Sequence, residues 1–450
     1  MADLLELCRA AVEAAAEGES VEAFAEESRR TEVKARASDV EGLTFAESRG
    51  VGVRVIAGGR LGYSYAADPA LEEVRETVAR ARENSAFATA NEYNELPEAA
   101  DAGPMPELFR EEQATLPTDD KVSEALELER VATDTDPRVT KVDEAVYGDA
   151  VSRVVVASTR GIFAEYERTD CWAVVVALAE DRGETQTGYS FRIGRELADL
   201  DGASIATEAV DRATSMLGAR KPETARVPVV LDPFAGSSFL GVLASALSAE
   251  QVQKGRSLFA ELVGEAVGSE ALSLVDDGRL LEGPAAGPFD DEGVPTRRTE
   301  LFASGVLQGF LHNTYTARRG GTASTGNARR GGYMSTPGVG TSNLYVPAGD
   351  ASPEALLEQA EGGVLIRNVS GVHSGANPIS GQFSVGATGL RIRGGAPAEP
   401  LREMTIASTL PDMLRAVAAV GSDLRFFTSI GVPSVLFAEM TVAGTSPAQK

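Results

Sequence analysis

One short stretch near the N-terminus does most to limit what this chain can fold into. Val51, Val53 and Val55 recur at every second position, Gly58-Gly59 follow, and Leu61, Tyr63 and Tyr65 recur in the same way. Period-two residues on either side of a two-glycine turn predict a β-hairpin. Helical signals flank it. Leu5, Cys8, Val12 and Ala15 recur at helical spacing and stop at Gly18. After the hairpin, Asp68-Pro69 predicts a helix start, with Asp as N-cap and Pro in the first turn. Its apolar stripe runs Leu71, Val74, Val78 and Ala81.

Farther on, residues 91–118 are rich in Asn, Glu and Pro without periodicity, and predict a long, mobile excursion. An amphipathic helix is expected over 119–133. Strands are expected at 140–147, 151–158 and 171–178, where β-branched residues alternate or run together. A helix over 203–217 closes this half. Gly218-Ala219-Arg220-Lys221-Pro222-Glu223 breaks the pattern, which sets a domain boundary between 1–218 and 226–450. The second half predicts a strand at 227–231 and a helix at 234–250. It then turns dense in Gly, Ser, Thr and Asn, with further helices only at 353–362 and 411–420. Apolar runs such as Val364-Leu365-Ile366 recur there, so strands joined by irregular loops are expected. The fold class is α+β: an N-terminal α/β domain with a mostly antiparallel sheet and flanking helices, and a C-terminal β-rich domain.

Composition narrows the function. The chain has 450 residues and a net charge of −25, a field that repels phosphate backbones, so no nucleic-acid partner is expected. No apolar run reaches membrane-spanning length, so no membrane association is expected. Asp3, Glu6 and Glu13 do not suit a signal peptide, and the cytoplasm is the expected location. The two cysteines, Cys8 and Cys171, read as small buried hydrophobes, in keeping with a reducing compartment.

The usual catalytic motifs are missing. There are two histidines, His312 and His373, and no HExxH or CxxC spacing, so a structural role for each is the simpler reading. There is no GxSxG elbow, although a dispersed Ser/His/Asp site is not defined by sequence order. Lys254-Gly255-Arg256-Ser257 has its glycine on the wrong side for a phosphate loop, and Gly50-Val51-Gly52 opens a strand.

Two segments look specialised. Residues 316–330 hold four arginines, Arg318, Arg319, Arg329 and Arg330, among glycines, with Asn327 between them. Arginine forks suit carboxylates or peptide backbone, but arginines of a solvated loop would also pair with the surplus acids. Residues 370–384 surround His373 and Asn377 with small polar residues and glycines. They predict either a loop lining a cleft or an elaborate turn between strands.

Taken together, several segments resemble the TldD/PmbA family of two-subunit peptidases, over nearly the whole chain. The resemblance rests on residues 47–65, on Lys254-Gly255-Arg256-Ser257, on Val275-Asp276-Asp277-Gly278 and on Asp290-Asp291-Glu292-Gly293-Val294-Pro295-Thr296-Arg297-Arg298. It continues through Thr325-Gly326-Asn327-Ala328-Arg329-Arg330, His373-Ser374-Gly375-Ala376-Asn377-Pro378 and Ser380-Gly381-Gln382-Phe383. In that family the TldD-type subunit carries an HExxxH box on a helix and a cysteine near the C-terminus, which together hold a metal. The two histidines lie about 140° apart on an ideal helix, so the box needs local distortion to converge. The matching helix here reads Leu240-Gly241-Val242-Leu243-Ala244-Ser245, and residues 421–444 contain no cysteine.

The resemblance therefore implies a TldE (PmbA)-type subunit with no catalytic residue, metal or cofactor of its own. A TldD-type partner would supply the metal, with zinc expected, and the glutamate that moves protons. This chain would complete a cleft for unfolded or small peptides, with Asn327, Arg329, His373 and Asn377 as its candidate substrate-binding residues. The family is also named for modulation of DNA gyrase and linked to maturation of small peptides. The alternatives are a non-enzymatic homodimer that binds peptides or scaffolds a complex, and an unrelated Ser/His/Asp hydrolase.

Overall fold

The computed structural model describes residues 3–104 and 107–444. The expected hairpin is present and is larger than its signal. Strands β1 (Glu19–Arg36), β2 (Asp39–Ala57) and β3 (Arg60–Ala67) run antiparallel, with Ala57 opposite Arg60 across the glycine turn. Both turn glycines have positive φ, 55° and 73°, as a two-residue hairpin loop requires. With β4 (Val139–Ser158), β5 (Phe163–Asp181) and β6 (Glu184–Gly194) they form one antiparallel sheet in the order β3-β2-β1-β4-β5-β6. The chain is α+β, as expected.

Helices cover one face of this sheet in two groups. Helices α1 (Leu4–Glu13) and α2 (Leu71–Phe87) pack on Val21, Ala23, Val51, Val53 and Val55. Short α3 (Glu111–Ala114), α4 (Thr118–Thr135) and α5 (Gly202–Thr214) lie near the other end, where α4 and α5 cover Val33, Ala35, Tyr147 and Val175. Lys121 of α4 donates to Asp149 at 2.9 Å and to Thr31 at 3.2 Å, so an ion pair beneath the helix helps fix it to β4 and β1. Both cysteines are buried and unpaired.

Several expectations need correction. The buried face of α1 is Leu4, Leu7, Cys8, Ala10 and Ala11, and the helix ends at Glu13, so Leu5 and Val12 sit on its margin. Asp68 does not cap α2. It adopts positive φ and lies near Arg49, and Ala70 is the N-cap without a side-chain bond. The strands expected at 140–147 and 151–158 are one continuous β4. Gly148 continues the strand because the Trp172 indole lies over it, where a Cβ would meet the ring at 2.2 Å. The excursion at 91–118 is held rather than loose: Asn91 donates to the Tyr315 hydroxyl at 2.9 Å, and Glu95 pairs with Arg160. Met105 and Pro106, within it, lie outside the described residues, as do Met1 and Ala2 of the N-terminal segment and residues 445–450.

The second half begins with β7 (Ala225–Leu231), α6 (Pro233–Ala246) and α7 (Ala249–Gln253). The single helix expected over 234–250 is therefore two. Leu311 breaks it, bonding to Leu247 O and Ala249 N in a strand-like bridge at Ser248. There follow β8 (Leu274–Asp277), β9 (Arg298–Ala303), β10 (Val306–Leu307), α8 (Thr314–Gly320), β11 (Ala328–Arg329), β12 (Gly338–Val339) and β13 (Leu344–Tyr345). Next come α9 (Pro353–Gln359), β14 (Val364–Ser370), α10 (Val372–Gly375), β15 (Gln382–Arg393) and β16 (Ala396–Thr409). The chain closes with α11 (Leu410–Ala416), β17 (Val417–Val420), β18 (Arg425–Phe427), β19 (Ile430–Val432) and β20 (Val435–Ala443). Thus the last residues of the helix expected over 411–420 form a strand, paired with β20.

These strands form a sheet β10-β9-β8-β13-β19-β18, a two-stranded ribbon β11-β12, and a sheet β16-β15-β14-β7-β20-β17. In the last, β16 also pairs with β20, so five strands close on one another. The large core of this half lies around α6, whose Phe239, Leu240 and Leu243 meet Leu231, Leu274, Phe302 and Phe437. No helix among the described residues is long and apolar enough to cross a membrane.

Candidate functional site

The face of the first sheet opposite its helices is where the two halves meet. Phe24, Val154, Val156 and Ile162 pack there against Phe289 and Tyr333. Two charged residues of the sheet point the same way and are buried with them. Glu22 alternates with Val21 and Ala23 along β1, and Arg54 with Val53 and Val55 along β2. Alternation along a strand sends each pair to opposite faces. Arg54 donates to Glu22 at 2.9 Å and to Glu292 at 2.9 Å, and Arg330 pairs with the same Glu22 carboxylate. Arg330 also donates to Asp291 O at 3.1 Å and to Ser335 O at 3.2 Å, and its guanidinium lies over the Phe24 ring. Burial works to raise the Glu22 pKa, but the two guanidiniums outweigh it and hold the carboxyl below its ordinary value. Four charges are thereby neutralised where none could remain single.

The loop carrying Asp290, Asp291 and Glu292 is built from its own backbone. Asp290 is fully buried and accepts from the N–H groups of Glu292, Val294 and Ala328 at 2.9–3.0 Å. Burial and the nearby Glu292 raise its pKa, while those N–H groups oppose the rise. Glu292 in turn accepts from the Thr314 N–H at 3.0 Å, at the start of α8. A cavity of about 190 Å3 adjoins it, lined by Arg54, Glu250, Glu292, Asn313 and Tyr315 among others.

Asn327 and Arg329 lie together beside this loop. Asn327 is 1% exposed; it donates to Asp276 at 2.7 Å and to Gly340 O at 3.1 Å, and accepts from the Thr325 hydroxyl at 2.6 Å. Arg329 donates to Thr341 O at 3.2 Å and to the Ser342 hydroxyl at 2.8 Å. Asp276 accepts from Asn327 and from the Ser342 N–H, and its burial pushes its pKa up to about 6. These side chains hold β8, β11 and the chain after β12 in register. Of the other arginines in that segment, Arg318 pairs with Glu95.

His373 and Asn377 lie elsewhere, on the loop between β14 and β15, and both are exposed. His373 sits on the single turn of α10. The Asn377 side-chain oxygen accepts from Ile379 N at 2.8 Å and Ser380 N at 3.1 Å, which closes a turn. Gly375 brings this loop against β15, since a Cβ there would stand 2.0 Å from Ser384 O. The four candidate residues therefore fall into two pairs, buried Asn327 with half-buried Arg329 and exposed His373 with exposed Asn377, and no hydrogen bond joins the pairs among the described residues. Glu22 and Arg54 have no motif to mark them, whereas Glu292 lies in the Asp290-Asp291-Glu292 segment that carries the family resemblance. The only signal of Glu22 and Arg54 is a charge within an otherwise apolar alternation, which also describes a strand with one wet face.

His312 is partly buried, with burial lowering its pKa; its Nδ1 has no hydrogen-bond partner among the described residues. At the helix expected to correspond to a metal box, Leu240 is in the core, while Gly241 and Ser245 are exposed. A leucine and a glycine offer no donor atoms, so these residues do not fit a metal. Among the described residues no group of three or more His, Cys, Asp or Glu side chains is placed to hold one.

Comparison with known proteins matches three family models in order along the chain. They are PmbA/TldA metallopeptidase domain 1 at residues 21–85, the central domain at 111–217 and the C-terminal domain at 224–444. The metalloprotease PmbA of Escherichia coli O157:H7 is 26% identical over 417 residues, covering 92% of this chain and 89% of that protein. A metalloprotease TldD homolog of Buchnera aphidicola (Schizaphis graminum) is 27% identical, covering 88% and 87%. Among solved structures, a candidate modulator of a DNA gyrase from Thermotoga maritima superposes with a TM-score of 0.89 at 29% identity, covering 97% of this chain and 98% of that one. TldE from Thermococcus kodakarensis shares the fold, with a TM-score of 0.88 at 23% identity over 97% of this chain and 99% of that one.

Proposed function

This chain belongs to the TldD/PmbA metallopeptidase family, and from that premise we propose that it is the TldE/PmbA-type subunit, which binds no metal and completes the cleft of a TldD-type partner. The observation that carries the proposal is α6. Where the family resemblance leads one to expect a metal box, Leu240 is spent on the core and Gly241 and Ser245 present no ligand. A metal held by the partner, expected to be zinc, would supply the activation of water and the polarisation of the scissile carbonyl of an unfolded or small peptide. This chain's part is to bind and orient that peptide. His373 and Asn377, on an exposed loop, are its contact residues. Asn327 and Arg329 are positioning residues that act through Asp276 and Ser342 on the strands beside the cleft.

Co-expression with a TldD-type relative tests the reading. The purified pair should hydrolyse a denatured protein faster than the partner alone, and metal should be found in the pair but not in this chain by itself. A pair with no gain over the partner sinks the reading and favours the non-enzymatic peptide-binding alternative. Stoichiometric metal in this chain alone also sinks it.

A further inference from the structure

Strand β2 has neighbours on both sides only along its second half. β3 meets it from Gly50 to Ala57, and the Asp68 N–H donates to Arg49 O at 2.9 Å just beyond. Over residues 39–48 no strand among the described residues lies against its outer edge. Nearly every residue of that run is exposed, including Leu43 at 42% and Phe45 at 63%. Soluble proteins commonly shield such edges with proline, lysine or a bulge. This run has no proline and no lysine, and its bulge, at Glu41, where the register shifts opposite Lys34 and Ala35, lies near its start, away from Phe45.

The side chains along the edge form a pattern. Leu43 and Phe45 pair with Val33 and Thr31, so with Glu47 they share the helix-bearing face, while Thr44, Ala46 and Ser48 take the other. The run holds three acids, Asp39, Glu41 and Glu47, and no base, and Glu41 already pairs with Lys34 and Arg36 of β1. Glu47 and Ser48 also border a groove of about 700 Å3 that crosses the helix-bearing face.

We propose that residues 39–48 are a docking strand, which adds to the sheet an extended polypeptide segment bearing alternate apolar and basic side chains. Main-chain bonds to the open edge give the affinity, and Leu43, Phe45 and Glu47, with Asp39 at the start of the run, give the preference. A second copy of this chain fits poorly. In a two-fold antiparallel pair centred on Thr44, Glu41 meets Glu47 of the other copy; centred on Leu43, Asp39 meets Glu47. Centred on Gly42, the pairing sets Asp39 and Glu41 against Phe45 and Leu43. Centred on Phe45, the start of the run meets the stretch where the other copy's β3 already lies. An isolated extended segment meets none of these obstacles. The proposal rests on the peptidase reading only in naming that segment as substrate.

The test uses this chain alone, without a partner, and a labelled peptide of about ten residues alternating lysine and valine, matched to the run. Fluorescence polarisation should show saturable binding, and hydrogen exchange should show protection confined to amides in and beside 39–48. The same peptide N-methylated at alternate positions on both strand edges should not bind. Phe45→Lys, at an exposed position, should fold as the parent does by circular dichroism and weaken binding about tenfold. Equal binding of the methylated peptide, protection elsewhere, an unchanged affinity in the Phe45→Lys chain or no binding at all overturns the proposal. Binding that persists while the co-expressed pair shows no peptidase activity leaves it standing and sinks the peptidase reading.

Discussion

At the scale of single residues, burial decides which charges are structural. Glu22 is 1% exposed and shared between two guanidiniums. Removing one of them by Arg330→Ala should cost about 3–5 kcal/mol of unfolding free energy, because a buried carboxylate then keeps only half its compensation. Urea titration measures this. Asp276 gives a pH signature. Its pKa is raised to about 6 in the folded chain by burial, above its unfolded value. The folded state therefore binds the proton more tightly. The associated stability is present below the unfolded pKa and is lost as pH rises through the folded one, by about 3 kcal/mol. Comparing the parent with Asp276→Asn between about pH 4 and 7 should show that slope flattened in the variant, at the expense of one hydrogen bond worth about 1 kcal/mol. For His373 and Asn377, substitution by alanine should raise KM of the reconstituted pair with kcat little changed, the mark of binding lost equally from ground and transition states.

At the scale of elements, α6 separates a core role from a surface one within a single turn. Leu240→Ala should cost about 2–5 kcal/mol, since Leu240 sits in the largest core, whereas Ser245→Ala should fall within about 0.5 kcal/mol. Thermal unfolding of the two variants measures the contrast. The same element shows what sequence can reveal. Helical periodicity marks α4 and the start of α6 because both have an apolar side fixed by local spacing. The break at Ser248 is not local, since Leu311 makes it from 63 residues away. Likewise Gly148 looks like an interruption until Trp172, its partner on the neighbouring strand β5, is known to cover it. The site follows this rule. Asn327 and Arg329 stand out in a Gly- and Arg-rich segment, but the contacts that hold them, to Asp276 and Ser342, are not written in their spacing. His373 and Asn377 stand out for their glycines and do lie on an exposed loop. Glu22 and Arg54 look like the wet face of a strand because the layer that buries them comes from the other half of the chain.

At the scale of the whole molecule, the first sheet is covered on one face by its own helices and on part of the other by distant loops. Residues 1–218 expressed alone should keep β1 to β6 but expose Phe24, Val154, Val156 and Ile162, which lose Phe289 and Tyr333. Such a fragment should bind a hydrophobic dye and unfold at a lower temperature than the full chain. A fragment as stable and as dye-silent as the parent would contradict this. The Glu22–Arg330 contact also has a consequence in time. The two residues are 308 positions apart. At ordinary rates of synthesis, about 5–20 residues per second, the first strand waits roughly 15–60 s for its second guanidinium. Through that interval the nascent sheet holds an under-compensated carboxylate beside an uncovered apolar face. In folding during synthesis, this contact therefore closes only after the distant loop that carries Arg330 has been made.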